Sequence, residues 1–314
     1  MPKRGTCSDE QSYPLAMRVK LQDIGLYVDV SGPALMPDTD KMRERPTIVT
    51  VHGGPGLDHW HMKVGLADLG DHAQLIYYDQ RGHGRSDHAD ESTWNLTRWA
   101  TDLRDLCDAL GITKPVVLGS SFGGFVVAAY AALFPDHPGG VILSNTTGGR
   151  LDQAASVETF RRIGGDEAAD VMARDAQEMS AESAAEFERV CMPLFSSRPG
   201  FPQEMADTMA LSIVTTDVNL HFFRALQSGD DVDPWPMFDR VTCPVLVLAG
   251  TDDPVCTINV VEDMVTALSS ADVRYVRLQG ARHAIFRDAP QEAVAAVLSF
   301  AREVGGRHTA PSEN

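Results

Sequence analysis

Gly119-Ser120-Ser121-Phe122-Gly123 is the stretch of sequence that decides the fold. The apolar run 115–118 precedes it and the alanine-rich run 125–133 follows it, so the stretch is predicted to be a sharp turn between a strand and a helix. A serine between two glycines on such a turn is typical of a nucleophile elbow, which exposes a serine hydroxyl above a sheet. Glycine is needed on both sides because the strand and the helix approach too closely for a Cβ atom.

The spacing of the glycines also selects one of the two adjacent serines. If Ser120 were the nucleophile, Leu118 and Phe122 would occupy the flanking positions, and both side chains are too bulky for the turn. The sequence therefore predicts Ser121 as the nucleophile, in the pattern G-x-S-x-G.

The composition of the chain restricts the class of protein. With 314 residues, of which 43% are hydrophobic and 23% charged, the chain is typical of a globular protein with a large core. A formal net charge of −17 argues against nucleic acid or a membrane as a partner, and no apolar run approaches the length of a membrane span. The polar N-terminus lacks the apolar segment of a signal peptide, and five scattered cysteines are typical of reduced thiols. We therefore expect a cytoplasmic protein.

Strands and helices are predicted to alternate along most of the chain. Residues 15–31 have the pattern of an initial hairpin, and the hydrophilic residues 37–45 are predicted to be a loop. Further strands are predicted at 47–51, 74–78, 115–118, 140–144, 245–249 and 273–278, and helices at 96–110, 125–133, 259–268 and 291–304. This alternation predicts an α/β fold, with a mostly parallel central sheet flanked by helices.

A long segment without strand patterns interrupts the alternation after the sixth strand. Residues 146–240 contain 17 acidic residues, 8 arginines and no lysine, with six of the twelve methionines and seven of the twelve phenylalanines. Runs rich in alanine and glutamate, such as 170–189, are predicted to be helical. We therefore predict a helical cap domain at 146–240 over a core domain made of 1–145 and 241–314. Its methionines and phenylalanines pack the cap onto the core, line an apolar substrate pocket, or do both.

A serine nucleophile requires a histidine base, which follows the serine in chains with this type of elbow. His283 comes after the predicted strand 273–278, in a loop that leads to the last helix. The other histidines lie earlier, in the cap or in the tail. His283 is therefore the predicted base.

The acid that orients the base is expected in the loop after the strand 245–249, where Asp252 and Asp253 are adjacent. Asp253 is favoured because it lies deeper in the loop and beside the rigid Pro254, with Asp252 as the alternative. Some enzymes of this architecture take the acid from the strand after the nucleophile, but Asn145 at that position cannot carry the charge.

An oxyanion hole completes the predicted site, because the negative charge that develops on the substrate oxygen needs N–H donors. The elbow itself places the backbone N–H of Phe122. A second donor is expected from the glycine-rich loop 52–56 after the strand 47–51, and since Pro55 has no N–H the donor is Gly53 or Gly54.

Two further motifs are predicted to be structural. His52, His59 and His61 are close in sequence, but no carboxylate or thiolate partners are evident, so we predict no metal and no cofactor. His52 is expected to orient the oxyanion loop through a hydrogen bond. Residues 79–86 are predicted to be a loop held by pairs of arginine and aspartate.

Three stretches together resemble the α/β-hydrolase superfamily, and more narrowly its proline iminopeptidase-like branch: 52–56, 79–86 and 119–124. The loops 250–254 and 280–283 fit the same superfamily. The resemblance covers approximately 15–145 and 241–304 and is weak in the cap. It implies a serine hydrolase in which the nucleophile, acid and base are Ser121, Asp253 and His283.

The resemblance also implies a substrate class, with one departure. Proline iminopeptidases release an N-terminal residue from short peptides and hold its amino group with glutamates from the cap and from just after the acid. Here Pro254 follows the acid, and the matching cap segment contains Asp217 instead of glutamate. We therefore expect hydrolysis of a small, largely apolar ester or amide first, and aminopeptidase activity on short peptides second. The candidate substrate-binding residues are Asp217, Asn219 and Phe222.

Other chemistry on the same fold is disfavoured. Haloalkane dehalogenases and most epoxide hydrolases need an aspartate at the elbow, where this chain has Ser121. A ligand receptor without catalysis is the remote alternative, and the complete set of triad residues argues against it.

Overall fold

Residues 17–229 and 233–309, which the computed structural model describes, fold around one large sheet. The strands are β1 Met17–Lys20, β2 Gly25–Ser31, β3 Leu35–Asp38, β4 Lys41–Glu44, β5 Thr47–Val51, β6 Gln74–Tyr78, β7 Val116–Ser120, β8 Gly140–Ser144, β9 Val245–Gly250 and β10 Val273–Leu278. The helices are α1 Trp60–Gly65, α2 Ala67–Gly70, α3 Leu96–Ala109, α4 Phe122–Leu133, α5 Gln153–Glu178, α6 Ala181–Val190, α7 Phe201–Leu211, α8 Thr216–Ser228, α9 Ile258–Ala267, α10 Ile285–Asp288 and α11 Pro290–Thr309.

The large sheet has the strand order β1-β2-β6-β5-β7-β8-β9-β10. β2 pairs antiparallel with both β1 and β6, whereas all strands from β6 to β10 in this order pair in parallel. The predicted α/β fold is confirmed, and each parallel strand lies close to its predicted position. Because parallel strands share one direction, their carboxyl ends and the loops that follow them meet at one edge of the sheet.

Alternate residues of the parallel strands face two separate cores, as the period of two along a strand requires. Val49 and Val117 face the core that contains α3, α4 and α9. Ile48 and Leu118 face the core that contains α1, α2 and α11. Since both faces are covered, the central strands are apolar almost throughout, which made them easy to recognise in the sequence.

The prediction of a loop at 37–45 is wrong, because β3 and β4 form a separate antiparallel hairpin there. β4 is exposed along its whole length, and Thr39 occupies the turn with a φ of 56°. A hairpin that buries no face lacks the alternation of apolar and polar residues by which strands are recognised. The hairpin predicted at 15–31 is confirmed for β1 and β2, while residues 15 and 16 lie outside the described residues.

The helices α5 to α8 all lie between β8 and β9, and β8 is the sixth strand of the large sheet along the chain. α5 is bent at Gly165, where φ is 81°. α5, α6 and the short 3-10 helix Met192–Phe195 share a small apolar core of their own, formed by Phe160, Ala168, Val171 and Cys191 with half-buried neighbours.

The described cysteines, Cys107, Cys191, Cys243 and Cys256, are all buried and unpaired. Cys7 and the N-terminal segment on which the signal-peptide prediction was based lie outside the described residues. Within the described part of the chain, no helix combines the length and the apolar composition that a membrane crossing requires.

A buried charged network supports the carboxyl edge of the sheet near β2 and β6. The two ring nitrogens of His59 lie 2.7 Å from Asp79 Oδ1 and 3.3 Å from Asp29 Oδ2. Lys63 Nζ lies 2.5 Å from the same Asp29 oxygen, and Asp79 also accepts a hydrogen bond from the backbone N–H of Arg85. Burial alone would lower the pKa of His59, but its hydrogen bonds to Asp29 and Asp79 outweigh this and raise it to about 9. His59 is therefore an imidazolium at neutral pH.

The loop 79–86 has a second ion pair. Arg81 is fully buried and donates two hydrogen bonds to Asp102 in α3, with distances of 2.7 and 2.8 Å. The expected pairing of arginine and aspartate in this loop is therefore present, although the partner of Arg81 comes from α3. The loop is anchored to the core, as bidentate pairs of this type fix geometry.

We predict that His59 makes the stability of the fold depend on pH. The pKa of His59 is higher in the folded than in the unfolded chain, so its contribution is complete below about pH 6.5 and is lost as the pH rises through about 9. The melting temperature of His59→Gln should therefore lie below that of the native chain at pH 7, and the difference should shrink by pH 9.5. His72→Gln, at an exposed position, is the control. A difference that stays constant with pH would contradict the prediction.

Candidate active site

The elbow holds Ser121 in a strained backbone conformation between β7 and α4. Its φ of 54° and ψ of −123° lie in a region that residues with a Cβ rarely adopt. Its N–H donates to Ser144 O on the neighbouring strand at 3.0 Å. A Cβ on Gly119 would collide with Gly123 O, and a Cβ on Gly123 would collide with Val51 O. The glycines are therefore required by the close approach of α4 to β7 and β5.

His283 and Asp253 are joined by a hydrogen bond of 2.8 Å between Nδ1 and Oδ2. The Asp253 side chain is 1% exposed and His283 is 11% exposed. The second carboxylate oxygen of Asp253 accepts from the backbone N–H groups of Val255 and Cys256, at 2.8 and 2.9 Å. These contacts fix the carboxylate, which in turn fixes the orientation of the imidazole through Nδ1.

Asp252 and Asn145, the other positions considered for the acid, take different places. The Asp252 side chain is 38% exposed and lies 3.6 Å from Arg162 of α5. Asn145 is buried behind Asp253, with its amide nitrogen 3.5 Å from Asp253 Oδ2. The amide at this position thus supports the carboxylate, a role that sequence reasoning did not assign.

The predicted oxyanion donors lie beside the elbow. Phe122 is the first residue of α4, where a backbone N–H has no acceptor within the helix. A Cβ on Gly53 would lie 3.0 Å from Ser120 O and 3.1 Å from Ser121 Cβ, so the glycine packs directly against the elbow. Gly54 and Ser121 line one common cavity.

His52 links the loop that is predicted to carry the oxyanion donors to Gln80. Its Nε2 accepts from the backbone N–H of Gln80 at 3.1 Å, so Nδ1 carries the proton and donates to Gly53 O at 2.9 Å. Burial lowers the pKa of His52, which keeps the ring neutral and this arrangement of donor and acceptor fixed.

Contacts with segment 146–240 hold the same loop as well. The Thr215 N–H donates to Gly56 O at 2.6 Å, and the Asn219 side chain donates to Pro55 O at 3.0 Å. A Cβ on Gly56 would lie 2.7 Å from Thr215 O, so the loop and the start of α8 are in close contact. Asn219, predicted to bind substrate, thus lines the cavity and also fixes the oxyanion loop.

Ser121 and His283 open onto one cavity of about 850 Å³ between the sheet edge and helices α5 to α8. Five of the six methionines of segment 146–240 line it, together with aromatic rings: Met172, Met179, Met192, Met205, Met209, Phe187, Phe195, Phe201, Phe222 and Phe223. Phe222, a predicted substrate-binding residue, packs against Phe122 with ring centroids 4.8 Å apart. The cavity is therefore apolar above the nucleophile.

The acidic residues that line the cavity do not include Asp217, which the sequence suggested as a substrate-binding residue. Asp217 is exposed in the first turn of α8 and is not among the residues that line the cavity. Four other acidic residues line it, and two of them pair with arginines, Glu204 with Arg287 and Asp233 with Arg150. Asp175 and Glu188 are the others; burial raises the pKa of Asp175, which accepts a hydrogen bond from Ser183. Three of the four lie in helices, and a helical position gives no sequence signal for facing a cavity.

Asp253, Cys256 and His283 place one ligand atom each within 4.8 Å of one another, a spacing that a metal ion could use. Burial raises the pKa of the Cys256 thiol far above its usual value, so this thiol keeps its proton and is a poor ligand. The three histidines considered for a metal make other contacts: His52 and His61 bond to backbone groups and His59 to two carboxylates. Of the three residues, Asp253 and His283 are already joined by their own hydrogen bond.

We predict that the backbone strain at Ser121 lowers the free energy of unfolding when residue 121 carries a Cβ atom. Because glycine adopts a positive φ without a steric cost, the free energy of unfolding of Ser121→Gly should exceed that of Ser121→Ala by about 1 kcal/mol. Urea denaturation of the two variants measures the difference. Ala128→Gly in the regular part of α4 is the control and should be destabilising. If the free energy of unfolding of Ser121→Ala equals or exceeds that of Ser121→Gly, the prediction of backbone strain is wrong.

The sequence matches the family model described as alpha/beta hydrolase fold over residues 46–290. A proline iminopeptidase of Thermoplasma volcanium is 29% identical over 147 residues, which are 46% of this chain and 46% of the relative. The match to such curated relatives thus spans about half of their length or less. A proline iminopeptidase of Lactobacillus helveticus is 25% identical over 274 residues, which cover 80% of this chain and 88% of that protein.

The fold is also that of a solved structure, the proline iminopeptidase of Mycobacterium smegmatis. The two structures superpose with a TM-score of 0.68 at 23% sequence identity. The match covers 93% of this chain and 99% of the Mycobacterium smegmatis chain. The family model spans most of the chain, including the elbow, the oxyanion loop and the loops that carry Asp253 and His283. This chain belongs to the alpha/beta hydrolase fold family.

Proposed function

We propose that the protein is a serine hydrolase that cleaves an ester or amide bond through an acyl-enzyme. The observation that carries the proposal is the buried Asp253–His283 hydrogen bond at the cavity that Ser121 also lines. An imidazole held by a carboxylate next to a serine on an elbow is the arrangement that activates a serine hydroxyl. The strained backbone of Ser121 supports the same role, because strain is retained where function requires it.

The proposed reaction has two steps. Ser121 Oγ attacks the carbonyl carbon and His283 Nε2 takes the hydroxyl proton, while Asp253 stabilises the imidazolium. The N–H groups of Phe122 and of Gly53 or Gly54 stabilise the oxyanion. His283 then protonates the leaving group, and water repeats the sequence at the acyl-enzyme to release the acid and restore Ser121.

We propose that segment 146–240 acts as the cap that selects the substrate, as its sequence suggested. It supplies most of the apolar lining above the nucleophile, and the volume of about 850 Å³ is near the upper end for ligand pockets. A substrate with an extended apolar part fits this site better than a short one. Esters and amides with such a part are therefore the first substrate class.

Release of an N-terminal residue from short peptides is the second candidate. Two observations favour it: the relatives named as proline iminopeptidases, and the Asp175 carboxylate at the cavity, which has no cation within 4 Å among the described residues. A carboxylate of this kind suits an amine on the substrate. The apolar lining favours the first candidate.

We predict that the two adjacent aspartates have unequal effects on catalysis. Asp253→Asn should lower kcat by about 10³ to 10⁴-fold, because an amide favours the wrong tautomer of His283. Asp252→Asn should remain within about twofold of the native chain, because the exposed carboxylate makes no contact with His283. Turnover of a p-nitrophenyl ester and labelling of Ser121 by a fluorophosphonate measure both effects. A larger loss in Asp252→Asn, or labelling that persists in Ser121→Ala, would refute the assignment.

We predict that p-nitrophenyl octanoate is hydrolysed with a kcat/KM roughly tenfold or more above that of the acetate, because each methylene that the cavity buries adds to binding. Ala184→Phe, in the cavity lining, should remove this preference, whereas Ala154→Phe, at an exposed position outside the lining, should retain it. Alanyl and prolyl p-nitroanilides are assayed in parallel. Turnover of the anilides alone would establish the second candidate in place of the first.

A further inference from the structure

One histidine at the cavity has no part in the proposed reaction. His61, in the first turn of α1, has its Nδ1 2.8 Å from the backbone oxygen of Asp58. A carbonyl oxygen can only accept, so Nδ1 carries the ring proton and Nε2 carries a lone pair. The direction in which each ring nitrogen acts is therefore fixed by the backbone.

The residue that orients this ring is itself rigidly held. Asp58 is fully buried, and its carboxylate accepts from Arg85 at 2.8 Å and from the backbone N–H groups of Trp60 and Ile213 at 3.1 Å. Its own N–H donates to Ile213 O at 3.2 Å. The Asp58 carbonyl that accepts the hydrogen bond from His61 Nδ1 therefore has little freedom to turn away.

The free ring nitrogen lies close to the nucleophile. A Cβ built on Gly53 would be 3.8 Å from His61 Nε2 and 3.1 Å from Ser121 Cβ, so both side chains border the small space in front of Gly53. His61 lines the cavity, and Nε2 has no hydrogen-bond partner among the residues that the structure describes. His61 Nε2 thus presents a lone pair to the same part of the cavity that the Ser121 side chain borders.

The contrast with His283 shows which chemistry this lone pair can perform. The Nδ1 partner of His283 is a carboxylate, which stabilises an imidazolium, whereas the partner of His61 is a neutral carbonyl. Burial, with a contribution from His52, lowers the pKa of His61 to about 4. His61 therefore stays neutral at pH 7 and acts as a fixed hydrogen-bond acceptor rather than as a proton carrier.

We propose that His61 Nε2 is a specificity determinant that selects acyl groups with a hydroxyl or amine donor on the carbon next to the scissile carbonyl. The inference depends on the proposed function, since it places the acyl group at Ser121. A buried acceptor that loses its partner costs binding energy, so the site should reject an analogue in which the donor is blocked. This recognition is separate from the cavity carboxylates, which lie in segment 146–240.

Ethyl 2-hydroxyoctanoate, 2-aminooctanoate and 2-methoxyoctanoate test the inference. They have similar length, and the methoxy compound has no donor. The native chain should hydrolyse at least one of the two donor esters with a kcat/KM about tenfold or more above that of the methoxy ester. The comparison between the hydroxy and amino esters identifies which donor the site takes. His61→Phe should reduce the preference to about twofold or less, and His61→Gln, which keeps an acceptor, should restore part of it.

His72→Phe, at an exposed position outside the cavity lining, is the matched control and should keep the native preference. The rate of fluorophosphonate labelling at Ser121 shows that each variant keeps an intact nucleophile. A preference that is absent in the native chain, or unchanged in His61→Phe, overturns the inference and leaves the proposed function standing. Failure to turn over all three esters while Ser121 is labelled overturns it as well. Absence of labelling at Ser121 in the native chain overturns the proposed function, and the inference with it.

Discussion

The close approach of α4 to the ends of β5 and β7 is the constraint on which the rest of the structure depends. Gly119 and Gly123 permit it, because any Cβ at either position would overlap a backbone oxygen. The approach forces the chain to turn within one residue, so Ser121 takes a positive φ and α4 starts directly at Phe122. One steric condition therefore sets the direction of a hydroxyl and the position of a free backbone N–H together.

Three histidines near this site differ in their protonation state and in the hydrogen bonds that they make. His59 is held charged between two carboxylates, whereas the buried His52 and the half-buried His61 are neutral and use their ring nitrogens as fixed donors or acceptors. The difference comes from the partner: carboxylates for His59, and backbone groups for the other two. Similar residues within ten positions of sequence thus have opposite protonation states.

The sequence predicted what depends on local pattern and could not predict what depends on the packing of helices. The parallel strands are recognisable because both faces are buried, and Ser121, Asp253 and His283 are recognisable because each follows a strand in a loop. The exposed hairpin at β3 and β4 gave no such pattern. The cavity-lining positions of Asp175 in α5 and His61 in α1 depend on which face of each helix turns inward, and patterns in a single sequence do not determine that.

The contacts between the start of α8 and the oxyanion loop have a mechanical consequence. Thr215 and Asn219 hold the carbonyl groups of Gly56 and Pro55, and Asp58 is joined to Ile213 by two hydrogen bonds. The junction between α7 and α8 and the loop 53–58 are therefore linked by backbone and side-chain hydrogen bonds. An outward movement of this junction must either break these bonds or move the loop away from Ser121, so under the proposed function access to the cavity and competence for the reaction are coupled through the backbone.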